Sequence, residues 1–511
     1  MTFATTPFLI FFVAVFVVYW LFRKQRVVRT LALIAASYIF YASTNPWFLI
    51  LLVYISVFDY FMSHKVAATE QPGRRKLYLV ISLVSSVSLL ALFKYLDFFF
   101  SIPADVAEKF DVFWQRKTFG LPLPLGISFF VFQTISYMVD VYRRKIEPST
   151  SLLDYLLYIA FFPRMVLGPI VRANFFLPQL AETPRLSRER LSQAIFLLII
   201  GFLKKLVIAE YVRLNLVDRV FDLPLFFSAT EVLAAIYGSM LQLYCDFSGY
   251  MDIVIGLSLL LGLQLPENFN FPFKSRSIRE FWNRWHITFS TWLRDYLYIP
   301  MGGSRVSHPW KVYRNLMLTF LIGGLWHGAA WTYILWGFTF GVGVCWNRFF
   351  QGRRILSGRQ PGESRFLFYL DVFTTFQYLG LTWIMYKSSS IQTVIDVLGR
   401  LLPWLALSPN YIAFKEIQTV LTGGELLPLI RDGIDYFRTA ILGVTNLTPM
   451  YVGVMLLGFA GMWLPDKWYE KMRGTFLRLP LVVQLLIAVL ALGVIYKVTS
   501  FSVAPFEYQR F

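Results

Sequence analysis

From Asn315 to Trp346 the chain carries no Asp, Glu, Lys or Arg, and an arginine closes the run at each end, Arg314 and Arg348. The run exceeds the ~20 apolar residues that span hydrocarbon. Basic flanks mark the cytoplasmic side of membrane segments. Two such flanks therefore predict a hairpin of two segments that starts and ends on one face. His327 stands near its turn, in Gly323-Gly324-Leu325-Trp326-His327-Gly328-Ala329-Ala330-Trp331. An ionisable side chain at membrane depth is costly and marks a functional site by default. The surrounding glycines leave room for a substrate or another backbone to come close.

Other apolar runs follow the same logic, among them Pro7–Phe22, Leu77–Leu92, Ala194–Leu203, Val232–Leu243, Ile253–Leu265 and Leu481–Tyr496. Only 15% of residues are charged, where a soluble domain carries about 25%. The expected fold is an all-α polytopic membrane protein, one domain over residues 1–511, with about 11–12 transmembrane helices plus re-entrant and interfacial helices. A net charge of +18 would suit nucleic acid. However, the basic clusters, such as Arg23-Lys24-Gln25-Arg26, Arg74-Arg75-Lys76 and Arg143-Arg144-Lys145, stand at the ends of apolar runs. The first apolar run precedes its basic cluster, so it is expected to be an uncleaved span with Met1 outside. Followed forward, the charges place Ser101–Gly120 and Phe511 outside. Leu152–Ile170 contains Pro163, Arg164 and Pro169 and is expected to be broken or re-entrant, as membrane-depth backbone is only where protein or water covers it. Cys245 and Cys345 lie in apolar runs and read as small core residues.

In Arg279–Pro300, the residues Trp282, Trp285, Phe289, Trp292 and Tyr296 recur at alternating intervals of three and four. That spacing predicts one aromatic face of a helix, with Arg284, Thr288, Thr291 and Asp295 on the other side. Residues 279–300 are thus expected to form an amphipathic helix at the headgroup level, whose polar face either packs on the bundle or lines a cytoplasmic entrance.

The chain has four histidines. His64 and His308 neighbour basic or polar residues and are expected to be solvated. No Cys, His and carboxylate cluster has metal-ligand spacing, and neither a phosphate-binding Gly-Lys-Ser/Thr loop nor a Gly-x-Ser-x-Gly elbow occurs. His327 remains, with His286 as companion. Burial among Gly, Trp and Leu disfavours a charged imidazole. A neutral one suits a general base for a hydroxyl nucleophile, although a histidine bonded to a neighbouring helix fits equally. Asp246 and Asp252 flank Phe247-Ser248-Gly249-Tyr250 and point to different faces of a straight helix. They either pair with basic groups or shape a polar tunnel, and Arg294, Asp295 and Lys274 share those two readings.

Several motifs now resemble one family: Leu325-Trp326-His327-Gly328, Arg284-Trp285-His286-Ile287, Trp292-Leu293-Arg294-Asp295-Tyr296-Leu297-Tyr298-Ile299 and Asp246-Phe247-Ser248-Gly249-Tyr250. Leu125-Gly126-Ile127-Ser128-Phe129, Phe162-Pro163 with Gly168-Pro169, and Glu267-Asn268-Phe269 add to them. The chain resembles the membrane-bound O-acyltransferases, in particular their alginate O-acetylase branch. The resemblance implies a helical funnel with a central tunnel, a catalytic His327 and a second characteristic histidine, His286. Candidates for the tunnel or substrate site are Asp246, Asp252, Trp326, Arg294 and Asp295. It further implies an acetyl donor, acetyl-CoA or an acyl carrier thioester, with no permanently bound cofactor or metal. The implied partners are the lipid bilayer, a periplasmic or extracellular Ser-Gly-Asn-His-type acetyltransferase and a polysaccharide acceptor, with no nucleic acid. The implied location is the bacterial cytoplasmic (inner) membrane.

The chain departs from the pattern at Trp383-Ile384-Met385-Tyr386-Lys387, where relatives often end in Phe-Arg, and a lysine offers no bidentate fork. Its last residues, Phe506-Glu507-Tyr508-Gln509-Arg510-Phe511, resemble the Phe-x-Tyr-x-x-Phe tail of surface-polymer acylation systems, making Tyr508 a candidate acyl relay. Alginate, cellulose and peptidoglycan all remain compatible acceptors, with the motifs leaning to alginate. A transporter or channel for an acyl donor, or a scaffold for the outer partner, are the readings from other classes.

Overall fold

A computed structural model describes residues 1–108, 110–356, 364–401 and 446–498. No β-strand occurs among them. The first six helices are α1 (Thr6–Leu21), α2 (Arg26–Ala42), α3 (Phe48–Ala68), α4 (Pro72–Leu90), α5 (Leu96–Glu108) and α6 (Ile127–Tyr142). Next come α7 (Leu152–Ala160), α8 (Phe162–Met165), α9 (Ala173–Ala181), α10 (Arg188–Phe202), α11 (Glu210–Val212), α12 (Asp218–Asp222) and α13 (Ala229–Leu260). The site helices α14 (Ile278–Arg284), α15 (Ile287–Leu293), α16 (Pro309–His327) and α17 (Trp331–Leu356) follow. Last are α18 (Arg365–Lys387), α19 (Ile391–Leu401), α20 (Pro449–Trp463), α21 (Asp466–Arg478) and α22 (Leu481–Val498).

Among the described residues, four stretches are long and apolar enough to cross a membrane, Phe48–Ala68, Pro72–Ala107, Arg188–Asp222 and Ala229–Leu260, and the bent pair Asp466–Arg478 with Leu481–Lys497 qualifies when taken together. Large apolar side chains such as Leu9, Val482 and Leu490 are more than 60% exposed, which suits a lipid-facing surface and would be a liability in water. The predicted break in Leu152–Ile170 is present: α7 ends at Ala160 and α8 lasts one turn. Phe162 N–H is then satisfied by Ser37 Oγ at 3.1 Å.

The most buried of the four stretches is α13. A capping box starts it: Ser228 Oγ accepts from Glu231 N–H and Glu231 Oε2 from Ser228 N–H, which satisfies amides that a helix start leaves open. α10 crosses α13 where a Cβ on Gly249 would lie 2.7 Å from the Gly201 carbonyl oxygen and 3.0 Å from Lys204 Cβ. That close approach, followed by the π-helical turn Leu203–Ala209, puts consecutive lysines against α13. Lys204 pairs with Asp252 at 2.8 Å and Lys205 pairs with Asp246. The pairing expected under one reading of these aspartates is present in both. The Lys205 and Asp246 side chains are only 4% and 3% exposed. Lys205→Met should therefore cost about 3–5 kcal/mol by stranding a buried carboxylate, and a further Asp246→Leu should recover most of it. Thermal unfolding of the solubilised protein reads this out, and an unchanged midpoint in Lys205→Met would refute it.

Candidate active site

The charge-free run folds as predicted, into a hairpin. α16 ends on His327 because Gly328 turns to extended backbone, φ −163° and ψ 149°. A Cβ at Gly328 would lie 2.1 Å from the Tyr333 ring, so the turn needs a glycine. His327 is 2% exposed and His286 is fully buried.

The segment 279–300 differs from the single amphipathic helix expected of it. It breaks between α14 and α15, where His286 takes the left-handed conformation with φ 44°, unusual for a non-glycine residue. Asn268, on the preceding loop, is the physical cause. Its backbone carbonyl accepts from Ile287 N–H at 3.0 Å, and its Oδ1 from Thr288 N–H at 3.0 Å and Thr288 Oγ at 2.9 Å. A distant residue thus caps α15. The aromatic face turns into the protein: Trp282, Trp285, Phe289 and Trp292 are all buried.

Asn268 Oδ1 also lies 3.3 Å from His286 Nδ1. An acceptor there makes Nδ1 the protonated nitrogen of a neutral imidazole. The two histidines meet through shared rings. Phe289 is 4.9 Å from His286 and 5.5 Å from His327, centroid to centroid. Trp326 is 6.3 Å from His286 and 4.8 Å from His327, and stacks on Phe289 at 4.4 Å. Trp336 and Tyr386 close the far side of His327 at 4.7 and 5.9 Å.

A cavity of about 630 Å³, within the usual range for small-molecule sites, lies between α10, α13, α20 and α21. Lys204, Asp252, Tyr244 and Arg473 line it, and it reaches Asn268. Asp252 thus stands on this cavity, whereas Asp246 is buried in its ion pair. Arg294 is exposed and bonded to Asp295 at 2.8 Å, and Arg143 donates to the Asp295 carbonyl. Both therefore sit beside the basic end of α6. Lys274 pairs with Asp466 and Lys387 with Asp218. His308 is exposed; His64 is partly buried, with Nδ1 2.9 Å from the Tyr60 carbonyl. Tyr508 and the tail 506–511 lie outside the described residues.

Sequence reasoning gave no role to Lys94, Tyr95, Trp336 or Tyr386, and noted Asn268 only as part of a motif. Lys94 carried a readable signal, a cation inside an apolar run. Its Nζ donates to the Trp326 carbonyl at 2.5 Å.

Residues 141–354, which hold both histidines, match the model of the membrane-bound O-acyltransferase family. The chain is 32% identical to a probable alginate O-acetylase of Pseudomonas putida over the whole of both chains. It is 36% identical to a peptidoglycan O-acetyltransferase of Helicobacter pylori over 74% of each. It is also 32% identical to a teichoic acid D-alanyltransferase of Bacillus subtilis, over 44% of this chain and 59% of the relative. Full-length similarity and a buried His327 at the hairpin turn, with the buried His286 across Phe289 and Trp326, agree: the chain is an acyltransferase and belongs to the membrane-bound O-acyltransferase family.

Proposed function

We propose that this acyltransferase takes an acetyl group from a cytoplasmic thioester, acetyl-CoA or an acyl carrier thioester, and passes it across the bacterial cytoplasmic membrane for O-acetylation of a cell-surface polysaccharide of alginate type. The observation that carries this reading is the buried pair His286 and His327 joined through Phe289 and Trp326. His327 takes the proton from an acceptor hydroxyl; the oxygen attacks the thioester carbonyl, the C–O bond forms and the C–S bond breaks. The imidazole then returns the proton to the departing thiolate. His286, held by Asn268, is the second histidine. The cavity lined by Lys204, Asp252 and Asn268 is the candidate route for the donor. Tyr508 is the candidate relay that carries the acetyl group to a Ser-Gly-Asn-His-type partner outside.

End-to-end similarity to the Pseudomonas putida relative supports an alginate-type acceptor. The Helicobacter pylori relative supports peptidoglycan as the second reading. Mass spectrometry of surface polymers with and without the chain separates them. Loss of acetyl esters from the exopolysaccharide is expected; loss confined to peptidoglycan selects the second reading, and no loss from any polymer rejects both. Tyr508→Phe removes one oxygen and should abolish transfer to the polymer. Full polymer acetylation by that variant would eliminate the relay.

A further inference from the structure

We propose that Lys94 is a positioning residue for His327, an inference that rests on the acyl-transfer reading above. The membrane-crossing stretch Pro72–Ala107 is interrupted by a π-helical turn, Ala91–Tyr95. Such turns shift a helix's register and recur at functional sites. This one brings Lys94 and Tyr95 together onto the end of α16. The final carbonyls of a helix find no amide further along the chain. In α16, Gly328 N–H reaches the Gly324 carbonyl at 3.4 Å, which leaves those of Leu325, Trp326 and His327. Tyr95 Oη donates to Leu325 at 3.0 Å, and Lys94 Nζ donates to Trp326 at 2.5 Å and lies 3.4 Å from the His327 carbonyl oxygen. Two adjacent side chains thus cover all three. Lys94 Nζ also lies 3.5 Å from Ser128 Oγ on α6 and 5.7 Å from the Trp326 ring.

A helix C-terminus carries partial negative charge and attracts a cation. Lys94 supplies that cation, so the imidazole on the last residue remains available as a base. The same contacts fix the main chain from which the imidazole projects, and an error of about 1 Å in such a group can cost ~10²-fold in rate. Nothing in the proton transfer itself uses the ammonium.

The test compares Lys94→Met, Lys94→Arg, Tyr95→Phe and His327→Ala for acetylation of the surface polymer by cells, expressed per folded, membrane-inserted chain. Lys94→Met, which uncaps the Trp326 and His327 carbonyls, should lower the thermal midpoint of the solubilised protein modestly and lose about 10²-fold in rate per folded chain. Lys94→Arg, which keeps the cation, should recover most of the rate, and Tyr95→Phe, which keeps the ammonium, should lose less than Lys94→Met. An unimpaired Lys94→Met, a loss that only tracks the amount of folded chain, or an Arg variant as poor as Met would each overturn the proposal. His327→Ala separates the two levels. If it is fully active, the acyl-transfer role of His327 falls. If it is inactive while Lys94→Met is unimpaired, only the positioning role falls.

Discussion

His327→Ala is expected to reach the membrane in normal amount and to lose surface acetylation by roughly 10²–10⁴-fold, the usual contribution of a positioned general base. The fold should tolerate the change. The residue closes α16, where alanine is a good helix former, and the three carbonyls held by Lys94 and Tyr95 belong to the main chain and survive the substitution. What disappears is the imidazole that Trp326, Trp336, Phe289 and Tyr386 surround. His327→Gln, closer in volume, should be equally inactive, which separates loss of the base from loss of packing. Acetyl ester released from the polymer by mild alkali, divided by the chain present in the membrane, is the measurement. Acetylation at the parental level in either variant removes His327 from the reaction.

The hairpin, the broken segment after Leu152 and the buried place of His327 near the hairpin's turn were legible because each is written in local pattern. An uncharged run with arginines at both ends has few places to go, and Pro163 cannot continue a helix. His286 was legible as the companion of His327, but its place at a helix break was not. The alternating spacing of Trp282, Trp285, Phe289 and Trp292 continues through it and predicts one helix. The break exists because Asn268 takes the amide hydrogens of Ile287 and Thr288, a tertiary contact that no periodicity encodes. The partners of Asp246 and Asp252 were hidden for a similar reason: Lys204 and Lys205 reach them from a separate segment, the π turn after α10, another tertiary contact. The role of Lys94 needed the α16 terminus to be located in space first.

Gly324→Ala should cost more than its one methyl group suggests, and Gly323→Ala should cost little. A Cβ on Gly324 would lie 2.3 Å from the Tyr333 carbonyl oxygen and 3.0 Å from Gly337 Cα, and one on Gly337 would lie 2.4 Å from the Phe320 carbonyl oxygen. These obstructions are backbone on both sides of the hairpin, so α16 and α17 must separate. A Cβ on Gly323 meets only Leu293 Cδ1 at 3.3 Å and Phe289 Cζ at 3.9 Å, and a leucine methyl can yield. Overpacking commonly costs 1–3 kcal/mol, and the backbone contact puts Gly324→Ala at about the upper end of that range. The functional loss should be larger than the loss of stability. Gly324 lies one turn before His327, so separating the helices displaces the base relative to Phe289 and His286, and roughly 1 Å of displacement is worth ~10²-fold. The thermal midpoint and the polymer acetylation of both alanine variants test this together. Equal tolerance at the two positions would mean that α16 and α17 do not cross at Gly324 and Gly337.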